Sequence, residues 1–310
     1  MVNLPYAVGE DDLQEGSDCK GSSSLILLHN EGVHMFELPE CVVLAQQINE
    51  TLKGKLVLKG ELGNSPHKFV WYNRSHEEFS TLIKSKMVDH AYVKGRWIFI
   101  PFEPGYILLI GECGGKMLYH PPGSPIPKKY HLFITFEDHS FFTVTTQMWG
   151  AMELYEAGKE DEREYVKGMK TTPIEPGFTL EYFNSIIDDL VKDKKRSVKS
   201  LLTQDQIIPG LGNSIAQDIM FQAQLHPRHS IEKLDSNQVS NLYSAIVDTV
   251  HEVIAKGGRY DETDLFNQAG GYVRIMDKNS TGNPCPRCTG NIEKMQYLGG
   301  TCYFCPECQI

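Results

Sequence analysis

Short apolar runs separated by Gly, Pro, Asn and Asp fill the chain between residues 55 and 157. Runs of this length, bounded by turn-forming residues, predict β-strands rather than helices. The predicted strands cover residues 55–58, 67–72, 87–93, 96–101, 106–111, 116–120, 131–136 and 140–145. So many short strands in succession are typical of an antiparallel β-sandwich, which we place at residues 35–157.

Apolar residues at helical spacing flank this strand region on both sides. The first set is Val42, Val43, Ala45, Ile48 and Leu52. Pro39 suits the first turn of this helix and Gly54 suits its end. A charged, proline-bearing segment at 158–178 is predicted to be a linker. Beyond it, helical patterns at 180–191, 200–207, 214–224 and 235–256 predict a helical domain over residues 179–282.

Two Cys-x-x-Cys pairs lie near the end of the chain, Cys285 with Cys288 and Cys305 with Cys308. A gap of two residues lets both thiolates of a pair face one point, so the pairs form the tetrahedral sulfur site that Zn²⁺ prefers. A rubredoxin-like iron site is the alternative. Four thiolates leave no open position, so we predict a structural zinc ribbon at residues 283–310. Cys302 is interpreted as a packed or free thiol.

The composition is that of a soluble globular protein with room for two domains, since 41% of the 310 residues are hydrophobic and 23% are charged. The longest apolar runs are too short to span a membrane, and the acidic N-terminus lacks the pattern of a secretory signal. Thiolates held by a metal indicate a reducing compartment. We therefore expect the cytoplasm, with nucleoid association in a bacterium, or the nucleus in a eukaryote.

The net charge of −10 argues mildly against a polyanionic partner, but acidic residues concentrate in residues 1–34. We interpret that segment as a flexible extension or as a start site assigned too early. A local basic track can bind phosphate on an acidic protein, so the net charge does not decide the partner.

Within the helical region, residues 204–213 contain Gly210 and Gly212 directly before Asn213. A tight turn of this kind exposes backbone N–H groups at a helix N-terminus, which is where phosphate groups bind. Taken alone, the same residues also fit an ordinary capped helix hairpin.

The combination of sandwich, turn and ribbon resembles the formamidopyrimidine-DNA glycosylase / endonuclease VIII family of base-excision repair enzymes. The motifs that carry the resemblance are Glu-Leu-Pro-Glu at 37–40, Pro-Gly-Leu-Gly-Asn at 209–213 and Cys-Pro-Glu-Cys-Gln at 305–309. The resemblance covers residues 35–310. It implies an α+β multidomain fold with an N-terminal antiparallel β-sandwich, a helix–two-turn–helix module and a four-cysteine zinc ribbon, and with damaged DNA held in the cleft between the halves.

The family's chemistry needs an amine that attacks the sugar and forms a Schiff base before β-elimination. The resemblance assigns this amine to an N-terminal proline, which corresponds to Phe36, and proton transfer to the next residue, which corresponds to Glu37. Phe36 has no side-chain nucleophile. The amine of Met35, in a chain that starts there, and Lys94 are candidate substitutes. The Met35 amine would lie one residue out of position, and such displacements are costly.

Three further positions depart from the family pattern. The lysine that contacts phosphate near the lesion corresponds to Arg96, which keeps the positive charge but cannot act as an amine. The arginine and phenylalanine that fill the gap left by the everted base correspond to Gln147 and Trp149, of which Trp149 can still stack. The ribbon arginine that clamps phosphates corresponds to Gly300.

The features that remain favour DNA binding. The resemblance implies phosphate contacts from Asn213, the amides of Gly210 and Gly212, and Lys199. Lys128, Lys129 and His131 form a further basic cluster, for which a solvated surface is the alternative. We expect a monomer that binds damaged or abasic double-stranded DNA and no membrane.

Three functions stay open at this point. The first is a DNA glycosylase/AP lyase of base-excision repair with impaired or rearranged chemistry. The second is a non-catalytic binder of damaged or distorted DNA, which the missing proline and Gly300 favour. The third is a zinc-stabilised protein-interaction module without a nucleic-acid role.

Overall fold

The computed structural model describes residues 35–64, 68–193 and 195–310. The predicted extension at 1–34 lies outside the described residues. The first described element is helix α1, Leu38–Thr51, capped by Glu37. Its capping box is reciprocal, because the Glu37 carboxylate accepts from the backbone of the third helical residue and the Glu40 carboxylate accepts from the Glu37 amide.

Two packed sheets confirm the predicted β-sandwich. The strands are β1 (Val57–Leu62), β2 (Val70–Tyr72), β3 (Met87–Val88), β4 (Tyr92–Lys94), β5 (Trp97–Glu103), β6 (Tyr106–Gly111), β7 (Gly115–His120), β8 (Leu132–Phe136), β9 (Phe141–Thr146) and β10 (Gly150–Glu156). One sheet has the order β1-β8-β9-β7, and the other has the order β2-β10-β6-β5-β3 with β4 beside β5. The shared core lies between the two sheets and α1.

The sandwich differs from the sequence prediction in three details. Strand β10 pairs with β6 in the six-stranded sheet but was not among the predicted runs. Strand β2 runs parallel to β10, so the sandwich is antiparallel except at this edge. A short helix, α2 (His76–Ile83), with a Ser75 capping box, packs against β1 where no helix was predicted.

The second half of the described chain is helical, as predicted. It contains α3 (Glu164–Lys167) between the halves, then α4 (Leu180–Asp193), α5 (Val198–Thr203), α6 (Asn213–Gln222) and α7 (Ser236–Ala255), with short 3₁₀ turns at Glu160–Glu162 and Ile231–Lys233. Apolar residues of α4 to α7 form one core. The chain ends in a hairpin of β11 (Glu293–Tyr297) and β12 (Gly300–Phe304). None of the described helices is long and apolar enough to cross a membrane.

The two halves exchange side chains across their junction. Leu38, at the start of α1, is buried in the core of the helical half, and its amide donates to the Gly210 carbonyl at 2.9 Å. In the opposite direction, Leu265 lies after α7 in the second half of the chain but is buried in the core of the sandwich. The loop around Leu265 is held by Gln47, whose side chain donates to Asp264 and accepts from the Leu265 amide. Apolar burial therefore joins the halves at two places.

Candidate active site and nucleic-acid interface

The Glu37 carboxylate lies at the N-terminus of α6, on the far side of the junction. It accepts hydrogen bonds from the backbone amides of Gly212 at 3.1 Å, Ser214 at 2.8 Å and Ile215 at 3.3 Å. These amides have no partner within the helix, and the helix dipole makes this end electropositive. The Glu-Leu-Pro-Glu motif therefore places its first carboxylate in an anion site built by the Pro-Gly-Leu-Gly-Asn turn.

The two turn glycines serve this contact between the halves. A Cβ atom at Gly212 would come within 2.5 Å of the Glu37 carboxylate. Gly210 has a φ of +93°, and a Cβ atom there would lie 2.5 Å from that of Leu38. The Gly212 amide is bound by Glu37 and the Gly210 amide donates to the Gln206 side chain at 2.9 Å. Both amides therefore have a partner inside the protein, and their contact with phosphate stays a prediction.

Arg259, just after α7, binds the other carboxylate of the motif. Its Nε and Nη2 atoms each donate to a Glu40 oxygen at 2.9 Å, and its backbone amide donates to the same carboxylate at 3.1 Å. Nη2 also donates to the Met35 carbonyl at 2.8 Å, and Nη1 lies 3.7 Å from Glu37. The guanidinium is fully buried. Sequence reasoning missed Arg259, because a lone arginine after a helix carries no local signal of its distant partners.

The charges around Arg259 are balanced inside the junction. A third carboxylate, Glu262, lies 3.5 Å from Nη2, and burial raises the pKa of Glu262 to about 8. The two other carboxylates, Glu40 and Glu37, lie against the Arg259 guanidinium and the N-terminus of α6, respectively. Arg259 offsets one of these charges and the N-terminus of α6 offsets the other.

Phe36, which we predicted to stand at the position of the family's proline, is part of the sandwich core. Its side chain is 2% exposed and packs with the core residues that include Cys41 and Cys113. Its backbone amide donates to the Cys113 carbonyl at 3.0 Å. Neither the side chain nor the backbone nitrogen of Phe36 is therefore available to act as a nucleophile in this structure.

The two candidate amines lie in different surroundings. Met35 is partly buried next to Phe36, and Arg259 holds its carbonyl two residues from Glu37. Lys94 instead places its ammonium near the rings of Tyr92 and Phe99, at 5.9 Å and 5.6 Å from their centroids. Phe99 belongs to the apolar cluster on the outer face of its sheet, away from the Phe36 core. Met35 is thus tied to the buried Arg259 through its carbonyl, whereas Lys94 lies against aromatic rings of the sandwich.

Arg96 lies at the rim of the junction. It pairs with Glu112 at 3.1 Å, and its side chain is 17% exposed. Glu112 has a φ of +50°, an unusual backbone conformation for a residue other than glycine. Arg96 therefore keeps its charge near Glu37 but has a resident carboxylate as its partner.

Lys199 is buried beneath the ribbon hairpin rather than displayed to solvent. Its ammonium donates to the carbonyls of Tyr297 and Gly300. Burial lowers the pKa of Lys199 from its usual value. These contacts give Lys199 a positioning role, because they fix the tip of the hairpin against the helical half. Asn213, the first residue of α6, lies on the same side, since a Cβ atom at Gly300 would meet its side chain at 3.6 Å.

The loop between β9 and β10 carries the other predicted DNA contacts. Gln147 is exposed, and Trp149 is half-buried against the rings of Phe69 and Trp71. Of the predicted basic cluster, Lys128 and Lys129 are exposed. His131 is not part of that surface, because it is buried and its Nδ1 accepts from the Thr146 amide at 2.9 Å.

The four predicted cysteine ligands converge at the base of the ribbon. The sulfur atoms of Cys285, Cys288, Cys305 and Cys308 all lie within 4.8 Å of one another. Two of the separations are 3.8 Å, for Cys285 to Cys308, and 3.4 Å, for Cys288 to Cys305. Sulfur atoms bound tetrahedrally to one zinc at about 2.3 Å lie about 3.8 Å apart. The residues present therefore fit a four-thiolate metal site. Cys302 is buried outside this set.

Comparison with known proteins agrees with this architecture. The chain matches the formamidopyrimidine-DNA glycosylase N-terminal domain over residues 35–152 and the formamidopyrimidine-DNA glycosylase H2TH domain over residues 171–263. It is 27% identical to the formamidopyrimidine-DNA glycosylase of Listeria innocua over 238 residues, 75% of this chain and 85% of that protein. It is also 27% identical to that of Streptococcus pneumoniae over 281 residues, 89% of this chain and 99% of that protein.

The fold is similar to that of Lactococcus lactis Fpg. The structure of that protein with abasic-site DNA superposes with a TM-score of 0.76 at 20% identity, covering 88% of this chain and 99% of that one. Its complex with DNA containing N7-benzyl-Fapy-dG gives a TM-score of 0.78 at 20% identity, over the same shares of the two chains. The present chain belongs to the formamidopyrimidine-DNA glycosylase / endonuclease VIII family.

Replacing Arg259 tests the buried charge network. We expect Arg259→Met to lower the free energy of unfolding by about 3–5 kcal/mol, because it leaves the Glu40 carboxylate buried without its cation. Lys256→Met is the matched control, since the pair of Lys256 with Glu252 is exposed and should contribute little. Urea unfolding followed by circular dichroism measures both variants. Equal effects of the two substitutions would contradict a structural role for Arg259.

Proposed function

We propose that this chain binds damaged or abasic double-stranded DNA in base-excision repair, and that its glycosylase/AP lyase chemistry is impaired or rearranged. One observation carries the proposal. Glu37 is retained at the N-terminus of α6, whereas Phe36 before it is buried with its amide bound to Cys113. The acid that moves protons is present, but the usual amine is not. The named activity of the relatives and the DNA in the neighbouring structures support the choice of partner.

The proposed DNA contacts line the junction of the two halves. Arg96 supplies a cation at the rim, Asn213 begins α6, and Gln147 and Trp149 extend from the sandwich. Phosphate contacts position the DNA duplex without reading its bases. A side chain inserted between the bases distinguishes a lesion from intact DNA. We assign Lys199 to the support of this surface, because its ammonium is bound to ribbon carbonyls.

The candidate nucleophile with the better position is the Met35 amine in a chain that starts there. Met35 lies two residues before Glu37, and its carbonyl is fixed by Arg259 at 2.8 Å. A primary amine can form the Schiff base that the family's chemistry requires. Its displacement from the family's position reduces the rate, because reacting atoms must lie within about 3–3.5 Å.

A non-catalytic binder of damaged or distorted DNA is the second candidate. The burial of Phe36 favours it, since the sandwich core fills the position where the family places its nucleophile. In that case Glu37 is retained for its three hydrogen bonds to α6 and not for proton transfer.

Borohydride trapping on a duplex with one abasic site separates these two functions. We expect a weak covalent adduct from a version starting at Met35 and none from the full chain, because only the shorter version has a free amine near Glu37. Glu37→Gln in the shorter version should reduce the adduct by about tenfold or more. If neither version forms an adduct but lesion-containing duplex is bound more tightly than intact duplex, the non-catalytic function replaces the lyase.

Two further results would overturn parts of the proposal. Efficient trapping by the full chain would exclude impaired chemistry and the Met35 amine, because it would place the nucleophile elsewhere. Absence of salt-dependent binding to any duplex would remove the DNA partner and favour the protein-interaction module.

Introducing a cation at Gly300 tests whether the ribbon contacts DNA. A side chain at Gly300 would make ordinary contacts, with Lys199 at 3.5 Å and Asn213 at 3.6 Å. We expect Gly300→Arg to tighten duplex binding about tenfold at low salt and to steepen the dependence on log salt by about one. Gly300→Gln, similar in reach but uncharged, is the control. Binding is measured between about 50 and 200 mM salt, where phosphate contacts weaken. Equal affinities of the two variants over this range would show that the ribbon does not contact DNA.

We propose Zn²⁺ as the metal of the four-cysteine site, with iron as the alternative. Bound zinc would fold the ribbon and so hold β11 and β12 against α6. We expect one zinc per chain by elemental analysis, with loss of the metal and of duplex binding in Cys285→Ser. Cys113→Ser, in the sandwich core, should keep its zinc. Full duplex binding by the metal-free protein would show that the ribbon is dispensable.

A further inference from the structure

Three aromatic rings form a surface cluster at the β2 edge of the six-stranded sheet. We call Phe69, Trp71 and Trp149 the aromatic platform. The rings of Trp71 and Trp149 are stacked, with centroids 5.3 Å apart and planes 14° apart, and the centroids of Phe69 and Trp149 are 4.6 Å apart. Trp71 is 41% exposed and Phe69 is 36% exposed. Large aromatic side chains that remain exposed together commonly mark an interaction surface.

The strand pairing holds the platform in place. Residues of β2 alternate between faces, so Val70 and Tyr72 pack against the sandwich core while Phe69 and Trp71 lie on the opposite side. Strand β10 pairs with β2 in parallel, and the Gly150 amide donates to the Phe69 carbonyl at 3.1 Å. Trp149 directly precedes Gly150 and is thereby fixed beside the two other rings. The platform is consequently built on the paired strands of the sheet edge.

The platform is continuous with the proposed DNA site. The Gln147 amide, two residues before Trp149, donates to the Gly114 carbonyl at 2.6 Å. The neighbouring Cys113 carbonyl accepts from the Phe36 amide at 3.0 Å. Two backbone contacts therefore link the Trp149 loop to the residue that precedes Glu37. DNA held at the junction would pass beside these rings.

The chemistry of the platform fits unpaired nucleobases. Every base has a flat π-face that stacks on tryptophan or phenylalanine, and such stacking tolerates any sequence. In an intact duplex these faces are covered by neighbouring base pairs, whereas an extruded or unpaired base exposes them. Lys68, whose ammonium lies 5.9 Å from the Phe69 ring centroid, adds a positive charge suited to the phosphate of the same nucleotide.

We propose that the aromatic platform binds a base displaced from the duplex, with Trp71 and Phe69 extending the stacking surface of Trp149. This inference rests on the proposed function, because it requires DNA at the junction. It goes further by naming the feature of the DNA that is recognised: unpaired bases, whatever their sequence or damage. The chain then binds duplexes with bulged or unpaired bases more tightly than paired duplexes of the same length.

Affinities for three labelled DNAs test the platform. The DNAs share one strand and are a fully paired duplex, the same duplex with a central unpaired stretch, and the single strand. We expect Trp71→Ala to weaken binding to the partly unpaired duplex and to the single strand about tenfold, as the loss of one stacking contact does. Binding to the fully paired duplex should weaken less than about twofold. Trp71→Phe should keep most of the preference, because a phenyl ring still stacks. Phe266→Ala is the matched control, since Phe266 is 45% exposed on another loop and contacts only Tyr119 among the ring contacts of the described residues.

Tryptophan fluorescence gives a second, direct readout. The chain has three tryptophans, and Trp97 is buried at 1% exposure. In a Trp149→Phe background, Trp71 is therefore the one exposed tryptophan of the sequence. We expect its emission to be quenched when DNA with unpaired bases is added and to change little with paired duplex.

The outcomes for the platform and for the proposed function are distinguishable. If Trp71→Ala and Phe69→Ala bind all three DNAs as the unmodified chain does, the platform is wrong while DNA binding stands. An equal loss on paired and unpaired DNA also overturns the platform, because it would indicate general destabilisation or a phosphate contact. If the unmodified chain binds none of the DNAs, the proposed function itself fails.

Discussion

The structure depends on one buried electrostatic arrangement at the junction of its halves. A carboxylate taken out of water without partners is very unfavourable, so Glu37 and Glu40 require compensation wherever α1 is buried. The helical half supplies it through the free amides of α6 and the guanidinium of Arg259. The buried carboxylates of one half are thus bound by groups of the other. The relative position of sandwich and helices is therefore specified by charge pairing as well as by apolar contact.

This arrangement changes the meaning of the most recognisable motifs. The Glu-Leu-Pro-Glu segment and the Pro-Gly-Leu-Gly-Asn turn bind each other here, through Glu37 with α6 and Leu38 with Gly210. Their presence consequently reports on the assembly of the fold before it reports on catalysis. Replacing either motif would leave buried charges without partners, whatever the chemistry of the site.

Much of the fold could be predicted from the sequence, because periodicity and turn residues are local signals. The sandwich, the helical half and the cluster of four cysteines followed from them. Strand β10 was missed since Glu153 interrupts its apolar run, although this carboxylate is buried and paired with Arg163. The site was harder to predict. Arg259 and Glu40 are 219 positions apart, and the turn amides appeared available for phosphate until the structure showed Glu37 bound to one of them. Partners of this kind meet only in the folded protein, so the spacing of residues along the sequence does not reveal them.

The exchange of Leu38 and Leu265 between the two cores has a mechanical consequence. Any hinge rotation that separated the two halves would have to withdraw at least one leucine from a packed interior into water. The loop that carries Leu265 would also lose its contacts with Gln47, and Arg259 would be pulled from Glu40. Opening is thus opposed by apolar and ionic contacts at the same time. Separating the two halves therefore costs more than the loss of either kind of contact alone.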